Sequence, residues 1–178
     1  MARKREAAKL DENGLWNYAL GALGRRALAS GELRVRLQRR AASADLIPVV
    51  LARLKEYGYL DDRRFAETYA TARKENQGLG SMRVVRDLRA RRVAPALAEQ
   101  AVKRAYAGSD ETELVEEYLK RKFRGRDLAS YLAEEKHLAS AFRKLRYAGF
   151  GAGVAIRVLR RFSVRATDLE DAEPEGAE

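Results

Sequence analysis

Three groups of arginine and lysine residues are the part of this chain best suited to chemistry, and that chemistry is anion binding. The groups are Arg34, Arg36, Arg39 and Arg40; Arg83, Arg86, Arg89, Arg91 and Arg92; and Lys120, Arg121 and Lys122 with Arg143, Lys144 and Arg146. Residues three or four apart share a helix face, so Arg83, Arg86 and Arg89 form one stripe. Solvated faces normally mix both signs of charge. The three groups contain almost no acidic residues, and this favours contact with a polyanion. Nucleic acid is the first candidate.

The sequence offers no constellation for catalysis. Cysteine is absent and His137 is the only histidine, which excludes a thiol nucleophile, a disulfide and a cysteine-ligated zinc site. Asp61 and Asp62 are adjacent carboxylates without a His or Cys partner, and helix capping explains them better than acid–base chemistry. Gly78-Leu79-Gly80 lacks the preceding strand and the following lysine of a phosphate-binding loop. We therefore expect no enzymatic activity, no cofactor and no metal.

Composition indicates a basic protein with an acidic end. The chain has 178 residues, a net charge of +10 and 46% hydrophobic residues, enough for a core. Residues 168–178 hold six acids and no base, so residues 1–167 carry +16. We expect residues 164–178 to be a disordered acidic tail, which either folds back on the arginines as a phosphate mimic or is idle. No apolar run approaches the ~20 residues that span a bilayer, and an apolar signal region is lacking. A cytoplasmic protein without a membrane partner is expected.

The apolar residues repeat three times along the chain. Counted from Leu37, Leu88 and Leu145, apolar residues recur four positions before and 10, 13, 14 and 17 positions after, which is the spacing of one helix face. The prediction is an all-α protein of three tandem three-helix repeats. They are placed at 15–62, 63–107 and 110–163, after a short basic lead at 1–14, and the third has a longer first connection.

Repeats of this size bury little alone and must stack on their neighbours, which predicts an elongated, curved array. Ser30 and Ser43 are suitable N-caps for the second and third helices of the first repeat. Gly58 is suited to end a helix and Asp61 or Asp62 to begin the next. The structural joint between the first two repeats is therefore expected at Gly58, Asp61, Asp62 and Phe65.

This joint resembles a known signature. Gly58-Tyr59-Leu60-Asp61-Asp62, followed by Phe65-Ala66, resembles the run that joins the first two repeats in the RecX family of recombinase regulators. Residues 78–88 are similar to the basic second-repeat helix of that family, and 120–123 and 146–150 to its third repeat. The resemblance covers about residues 15–163. The family has a Gly-aromatic pair where this chain has Ala41-Ala42, and that difference puts the helix ending there in question.

The resemblance implies a non-enzymatic, monomeric modulator of the RecA recombinase. Such a protein lies along the groove of the RecA–DNA filament and depresses filament growth, ATP hydrolysis, strand exchange and co-protease activity. The basic residues would meet acidic protein surface or the phosphates of single-stranded or double-stranded DNA. A general helical nucleic-acid-binding protein remains the alternative. In either case the arginine-rich helices favour phosphate contact over base readout.

The repeat pattern generates a prediction about size. We expect small-angle X-ray scattering to give a radius of gyration clearly above ~16 Å, the value for a compact domain of this length. A value at or below that figure would contradict the extended array.

Overall fold

The structure is a computed structural model that describes residues 9–163, so most of the basic lead and the whole acidic tail at 164–178 lie outside the described residues. Ten α-helices lie in this range. They are α1 (Glu12–Arg25), α2 (Ser30–Gln38), α3 (Leu46–Glu56), α4 (Asp62–Gln77), α5 (Ser81–Ala90), α6 (Pro95–Ala105), α7 (Glu111–Lys122), α8 (Leu128–Leu132), α9 (Glu135–Ala148) and α10 (Ala152–Leu159). Between residues 9 and 163 there is no strand, which confirms the all-α prediction.

The order of the helices follows the repeat pattern. α1–α3, α4–α6 and α7, α9 and α10 are successive triplets, and the short α8 occupies the longer connection expected in the third. The chain divides into two compact units. Among the described residues, the first unit holds 9–69 together with 88–101, and the second holds 70–87 together with 102–163. The exact boundaries of the three repeats stay a prediction.

The apolar positions that define the repeat are buried. In the first unit Leu33, Leu37, Ile47 and Leu54 belong to one core, and in the second Ala141, Leu145, Ala155 and Leu159 belong to another. The positions taken from the second repeat are buried as well, namely Val84, Leu88, Ala98, Ala101 and Val102. Ala105 and Phe162, at the end of the pattern, are half-buried.

Four residues of the signature between α3 and α4 each have a separate structural task. Gly58 adopts a φ of +72°, a left-handed conformation in which a side chain would be strained. Leu60 is buried in the core of the first unit. Asp61 caps α4, because its Oδ1 accepts two successive backbone N–H groups at 2.9 and 3.0 Å. Asp62 Oδ1 accepts the N–H of Ser30 at 2.6 Å and so ties the start of α4 to that of α2.

Phe65 and His137 both lie against other rings. Phe65 is half-buried and stacks on Tyr69, with 6.0 Å between ring centroids. The ring of His137 stacks on that of Tyr131, with 4.0 Å between centroids, and the His137 side chain is only 25% exposed.

The two serine caps proposed for the first repeat are wrong. Ala29 is the N-cap of α2, and its N–H donates to the Glu32 carboxylate at 3.3 Å. Ser30 is the first residue within the helix and not the residue before it, so it does not occupy the N-cap position. At the next helix the Ser43 hydroxyl binds Asp45 instead of backbone, because residues 43–45 form a turn that delays the start of α3 to Leu46.

The end of α2 does not need the glycine that the related family has there. The N–H of Leu10 donates to the carbonyl of Arg40 at 2.7 Å, and the N–H of Ala42 donates to the carbonyl of Leu10 at 2.9 Å. Ala41 is buried between them. Among residues 9–163 the only non-glycine residue with positive φ is Arg92. Ala41 therefore ends the helix without the strain that a left-handed alanine would carry.

Within the second unit, the start of α5 touches the end of α9 through backbone. The N–H of Gly80 donates to the carbonyl of Ala148 at 2.8 Å. A Cβ on Gly80 would lie 2.3 Å from the carbonyl oxygen of Gly149, and a Cβ on Gly149 would lie 2.3 Å from the nitrogen of Arg83. Gly149 also adopts a φ of +93°. Neither glycine has room for a side chain.

The first unit contains a matching contact between the start of α2 and the end of α5. A Cβ on Gly31 would lie 2.4 Å from the Cβ of Arg92 and 2.5 Å from its carbonyl oxygen. Arg92 occupies the same position relative to Leu88 as Gly149 does relative to Leu145. It adopts the same left-handed conformation, with a φ of 63°.

These contacts generate a stability prediction. We expect Gly80→Ala to lower the free energy of unfolding by at least ~1–3 kcal/mol, the typical cost of overpacking, because the atoms it meets are backbone that cannot move aside. The matched control is Gly21→Ala in α1, where a Cβ would meet nothing within 4 Å, and which should stabilise the protein by ~0.5–1 kcal/mol. Urea unfolding of both variants measures this. A Gly80→Ala protein as stable as the wild type would refute the close approach.

Candidate nucleic-acid interface

A groove of about 500 Å³ lies within the second unit, between the end of α4 and helices α5, α7 and α9. Its lining combines basic, neutral polar and aromatic side chains. The lining residues are Arg73, Gln77, Leu79, Arg83, Asp87, Tyr118, Lys122, Ser140, Arg143, Lys144, Tyr147 and Ala148.

Helical spacing explains how these residues reach one groove. α4 contributes Arg73 and Gln77, α5 contributes Arg83 and Asp87, and α7 contributes Tyr118 and Lys122. Each pair is four residues apart and therefore lies on one helix face. α9 supplies Ser140, Arg143, Lys144 and Tyr147, which follow the same periodicity. The groove is thus built from one polar stripe on each of four helices whose opposite faces are buried.

The charge of the lining is predominantly positive. Five basic side chains face the groove and Asp87 is its one carboxylate. Arg83 Nε donates to Asp87 Oδ1 at 2.8 Å, so that carboxylate is compensated within the groove. Clustered cations attract an anionic ligand and bind it more tightly at low salt. The arrangement suits a phosphate chain.

Arg83 and Tyr147 are in direct contact in the groove. The guanidinium carbon of Arg83 lies 4.4 Å from the centroid of the Tyr147 ring, and Nη1 donates to the Tyr147 carbonyl at 3.2 Å. Hydrogen bonding to Tyr147, and then to Asp87, raises the pKa of Arg83 above its ordinary value. The Tyr147 side chain is 70% exposed. An exposed ring beside a fixed arginine is the combination on which nucleic-acid bases stack.

The floor of the groove is continuous with the core of the second unit. The ring of Tyr118 packs edge-on against buried Phe150, with 5.7 Å between centroids, and burial raises the pKa of Tyr118. Lys144 Nζ lies 5.0 Å from the centroid of the buried Phe123 ring. One cation of the groove therefore contacts an aromatic ring of the core.

Four of the predicted binding residues meet in this groove, namely Arg83, Lys122, Arg143 and Lys144. The others from the second unit do not line it. Arg86 and Lys120 are exposed elsewhere, Arg121 donates to the carbonyl of Glu75 at 3.0 Å, and Arg146 donates to that of Phe150 at 3.0 Å.

The predicted residues of the first unit are divided between solvent and structural contacts. Arg34 and Arg39 are exposed, Arg36 is half-buried and Arg92 is exposed at its left-handed position. Arg40 lies over the ring of Tyr18 at 5.4 Å, and Arg89 pairs with Glu99.

Arg91 is half-buried and contacts both a ring and a carboxylate. It lies 4.9 Å from the centroid of Tyr69 and 3.4 Å from the Glu32 carboxylate, which also binds Arg26. Its contacts stabilise the fold, and they leave it less available to a ligand than the exposed arginines.

Sequence reasoning missed Arg73 and Tyr118. Arg73 lies four residues before Gln77, and Tyr118 lies four residues before Lys122. The spacing is therefore visible, but only the packing of α4 and α7 beside α9 shows that these faces line a groove. Within residues 9–163, no cluster of three His, Cys, Asp or Glu side chains is arranged to hold a metal ion, and no helix is both long and apolar enough to cross a membrane.

Comparison with known proteins decides the family. The model for the second three-helix domain of RecX matches residues 61–102, which run from the α4 cap into α6. Regulatory protein RecX of Trichlorobacter lovleyi is 32% identical over 120 residues, covering 67% of this chain and 77% of that protein. The RecX of Pseudomonas savastanoi pv. phaseolicola is 31% identical over 141 residues, covering 79% and 86%. The chain belongs to the RecX family.

Its fold agrees with that of a solved RecX. The crystal structure of RecX from Lactobacillus salivarius superposes with a TM-score of 0.64 and 16% identity, covering 85% of this chain and 96% of that one. The RecX resemblance of the α3–α4 signature is thus confirmed, and with it membership of a family of regulatory proteins.

The groove generates a prediction about DNA binding. We expect Lys122→Glu/Arg143→Glu to weaken binding to a single-stranded oligonucleotide at least ~10-fold and to lower the slope of log affinity against log salt, because phosphate contacts are lost. The control, Lys103→Glu/Arg157→Glu, changes the net charge equally at exposed positions outside the groove and outside the predicted binding groups. Fluorescence anisotropy at several salt concentrations distinguishes them. An equal loss in both variants would mean that overall charge, and not the groove, governs binding.

Proposed function

We propose that this protein binds the RecA–DNA nucleoprotein filament as a monomer and inhibits the recombinase, reducing filament growth, ATP hydrolysis, strand exchange and co-protease activity. Membership of the RecX family supports a regulatory role, and its relatives carry the name regulatory protein RecX. The observation that carries the proposal further is the groove of the second unit, where five basic side chains from four helices converge.

The groove suits the phosphate backbone of a nucleoprotein filament better than a defined base sequence. Arginine and lysine bind phosphates at any sequence, whereas base readout needs a row of amide and hydroxyl side chains at the start of a helix laid in the major groove of DNA. Apart from the two tyrosine hydroxyls, only Gln77 and Ser140 offer such groups here. A regulator that must act anywhere along a filament needs this indifference to sequence.

Inhibition of the recombinase would follow because the protein occupies the phosphates of the filament. A protein seated on the phosphates of the filament competes with any other polyanion that must approach the same surface, including the second DNA of strand exchange. A repeat array that also bridges neighbouring subunits opposes the subunit rearrangements that accompany growth and ATP hydrolysis. Both effects require contact with the filament, and neither requires a catalytic group.

A general nucleic-acid-binding protein is the second candidate, and one observation favours it. The exposed ring of Tyr147 beside Arg83 offers a stacking surface to free single strands as well as to the filament. Under this alternative the protein would act by covering DNA, and inhibition of RecA would require enough protein to saturate that DNA.

RecA's single-strand-dependent ATP hydrolysis separates the two. With DNA in excess and this protein well below one molecule per RecA monomer, we expect strong inhibition, because too little protein is present to sequester the DNA. The Lys122→Glu/Arg143→Glu protein should inhibit less at the same ratio, and Lys103→Glu/Arg157→Glu should inhibit like the wild type. Inhibition that appears only when the DNA is saturated, and that disappears with added salt, would support the general binder instead.

A further inference from the structure

We infer that the first unit carries a docking site for the protein component of the filament, formed by Trp16, Arg53, Tyr57 and Tyr59 and suited to an uncharged, apolar protein segment. This set is called the aromatic cluster below. The inference rests on the proposed function and deepens it, because it assigns a protein-facing surface in addition to the phosphate-facing groove.

The aromatic cluster is an ordered surface and not a set of isolated rings. The Trp16 ring meets Tyr57 at 5.8 Å and Tyr59 at 6.2 Å between centroids, edge-on in both cases. The Tyr57 and Tyr59 rings lie 6.5 Å apart with 25° between their planes. The Tyr57 side chain is nevertheless 61% exposed and that of Tyr59 is 56% exposed.

Folding does not account for these two tyrosines. In the same run of sequence Gly58 makes the turn, Leu60 enters the core and Asp61 caps α4. The rings of Tyr57 and Tyr59 stay largely in water, where large apolar surface is unfavourable unless a partner covers it. Val49 and Arg53 on α3 and Tyr57 at its C-cap follow at four-residue intervals, so 48%-exposed Val49 extends the same face.

The local charge favours a protein partner over nucleic acid. The guanidinium carbon of Arg53 lies 4.3 Å from the centroid of Trp16, and Nη1 lies 3.9 Å from a Glu12 carboxylate oxygen. The charge of Arg53 is thus compensated, and exposed Lys55 and Glu56 nearby in α3 are of opposite sign. A phosphate chain laid here would meet carboxylates, in contrast to the groove, where cations outnumber the one carboxylate fivefold.

The composition and rigidity of the aromatic cluster match the centre of a protein interface. Tryptophan, tyrosine and arginine supply most of the binding energy at such centres, whereas charged residues other than arginine are depleted there. The rings already contact one another and flank a fixed turn, so little side-chain freedom is lost on binding. An apolar segment of a partner protein can cover them without having to bring a counter-charge.

Binding to immobilised single-stranded DNA, bare or coated with RecA and a non-hydrolysable ATP analogue, tests the inference. We expect Tyr57→Ser/Tyr59→Ser to weaken binding to the coated strand ~10–100-fold, as for the loss of interface hot spots. Its affinity for the bare strand and its salt slope on the coated strand should not change, because no phosphate contact is lost. The conservative Tyr57→Phe/Tyr59→Phe protein keeps the rings and should bind the coated strand within ~3-fold of the wild type.

Each other outcome overturns a defined statement. An equal loss on the bare strand would mean that the aromatic cluster stacks on bases, and no loss on the coated strand would mean that nothing docks there. If circular dichroism shows that the double serine variant is misfolded, Tyr57→Ser alone, at the more exposed ring, takes its place under the same criteria. A wild-type protein that binds the coated strand no better than the bare one would overturn the proposed function itself, and the inference with it, whatever the variants do.

Discussion

The backbone contact between the start of α5 and the end of α9 determines the geometry of the second unit. The N–H of Gly80 donates to the carbonyl of Ala148 at 2.8 Å, and the two helices come this close because neither Gly80 nor Gly149 has a side chain. That approach sets the nitrogen of Arg83 beside Gly149 and brings its guanidinium over Tyr147. The groove therefore depends on the lack of a side chain at both glycines. A methyl group at either one would separate the helices that form the wall of the groove.

The two units carry surfaces with different chemistry. The groove of the second unit concentrates cations on helix faces whose opposite sides are buried, whereas the aromatic cluster of the first unit holds rings beside a compensated arginine. The signature between α3 and α4 is shared between structure and surface, because Leu60 and Asp61 stabilise the joint while Tyr59 remains exposed. The same short signature therefore contains both the turn at Gly58 and the exposed ring of Tyr59.

The sequence predicts the helical class and the buried positions well, since periodic apolar residues such as Leu37 and Leu145 depend only on local geometry. It also identifies the Asp61 cap, whose partners lie within three residues. The caps at Ser30 and Ser43 fail because the exact start of a helix depends on the preceding turn. Arg73 escapes prediction for a longer-range reason: its place in the groove depends on which helix packs beside α4. Contacts between residues close in sequence can be predicted from the sequence, whereas contacts between helices that pack together cannot.

The ion pair between Arg83 and Asp87 means that a carboxylate of the groove competes with any anionic ligand for the Arg83 guanidinium. Under the proposed function, a phosphate that bound the edge of Arg83 now held by Asp87 at 2.8 Å would exchange one anion for another and would add little net free energy. Asp87 would pair with the guanidinium again when that phosphate leaves. Such an internal counter-ion would shorten the residence time of any single phosphate and would let the protein shift from one to the next.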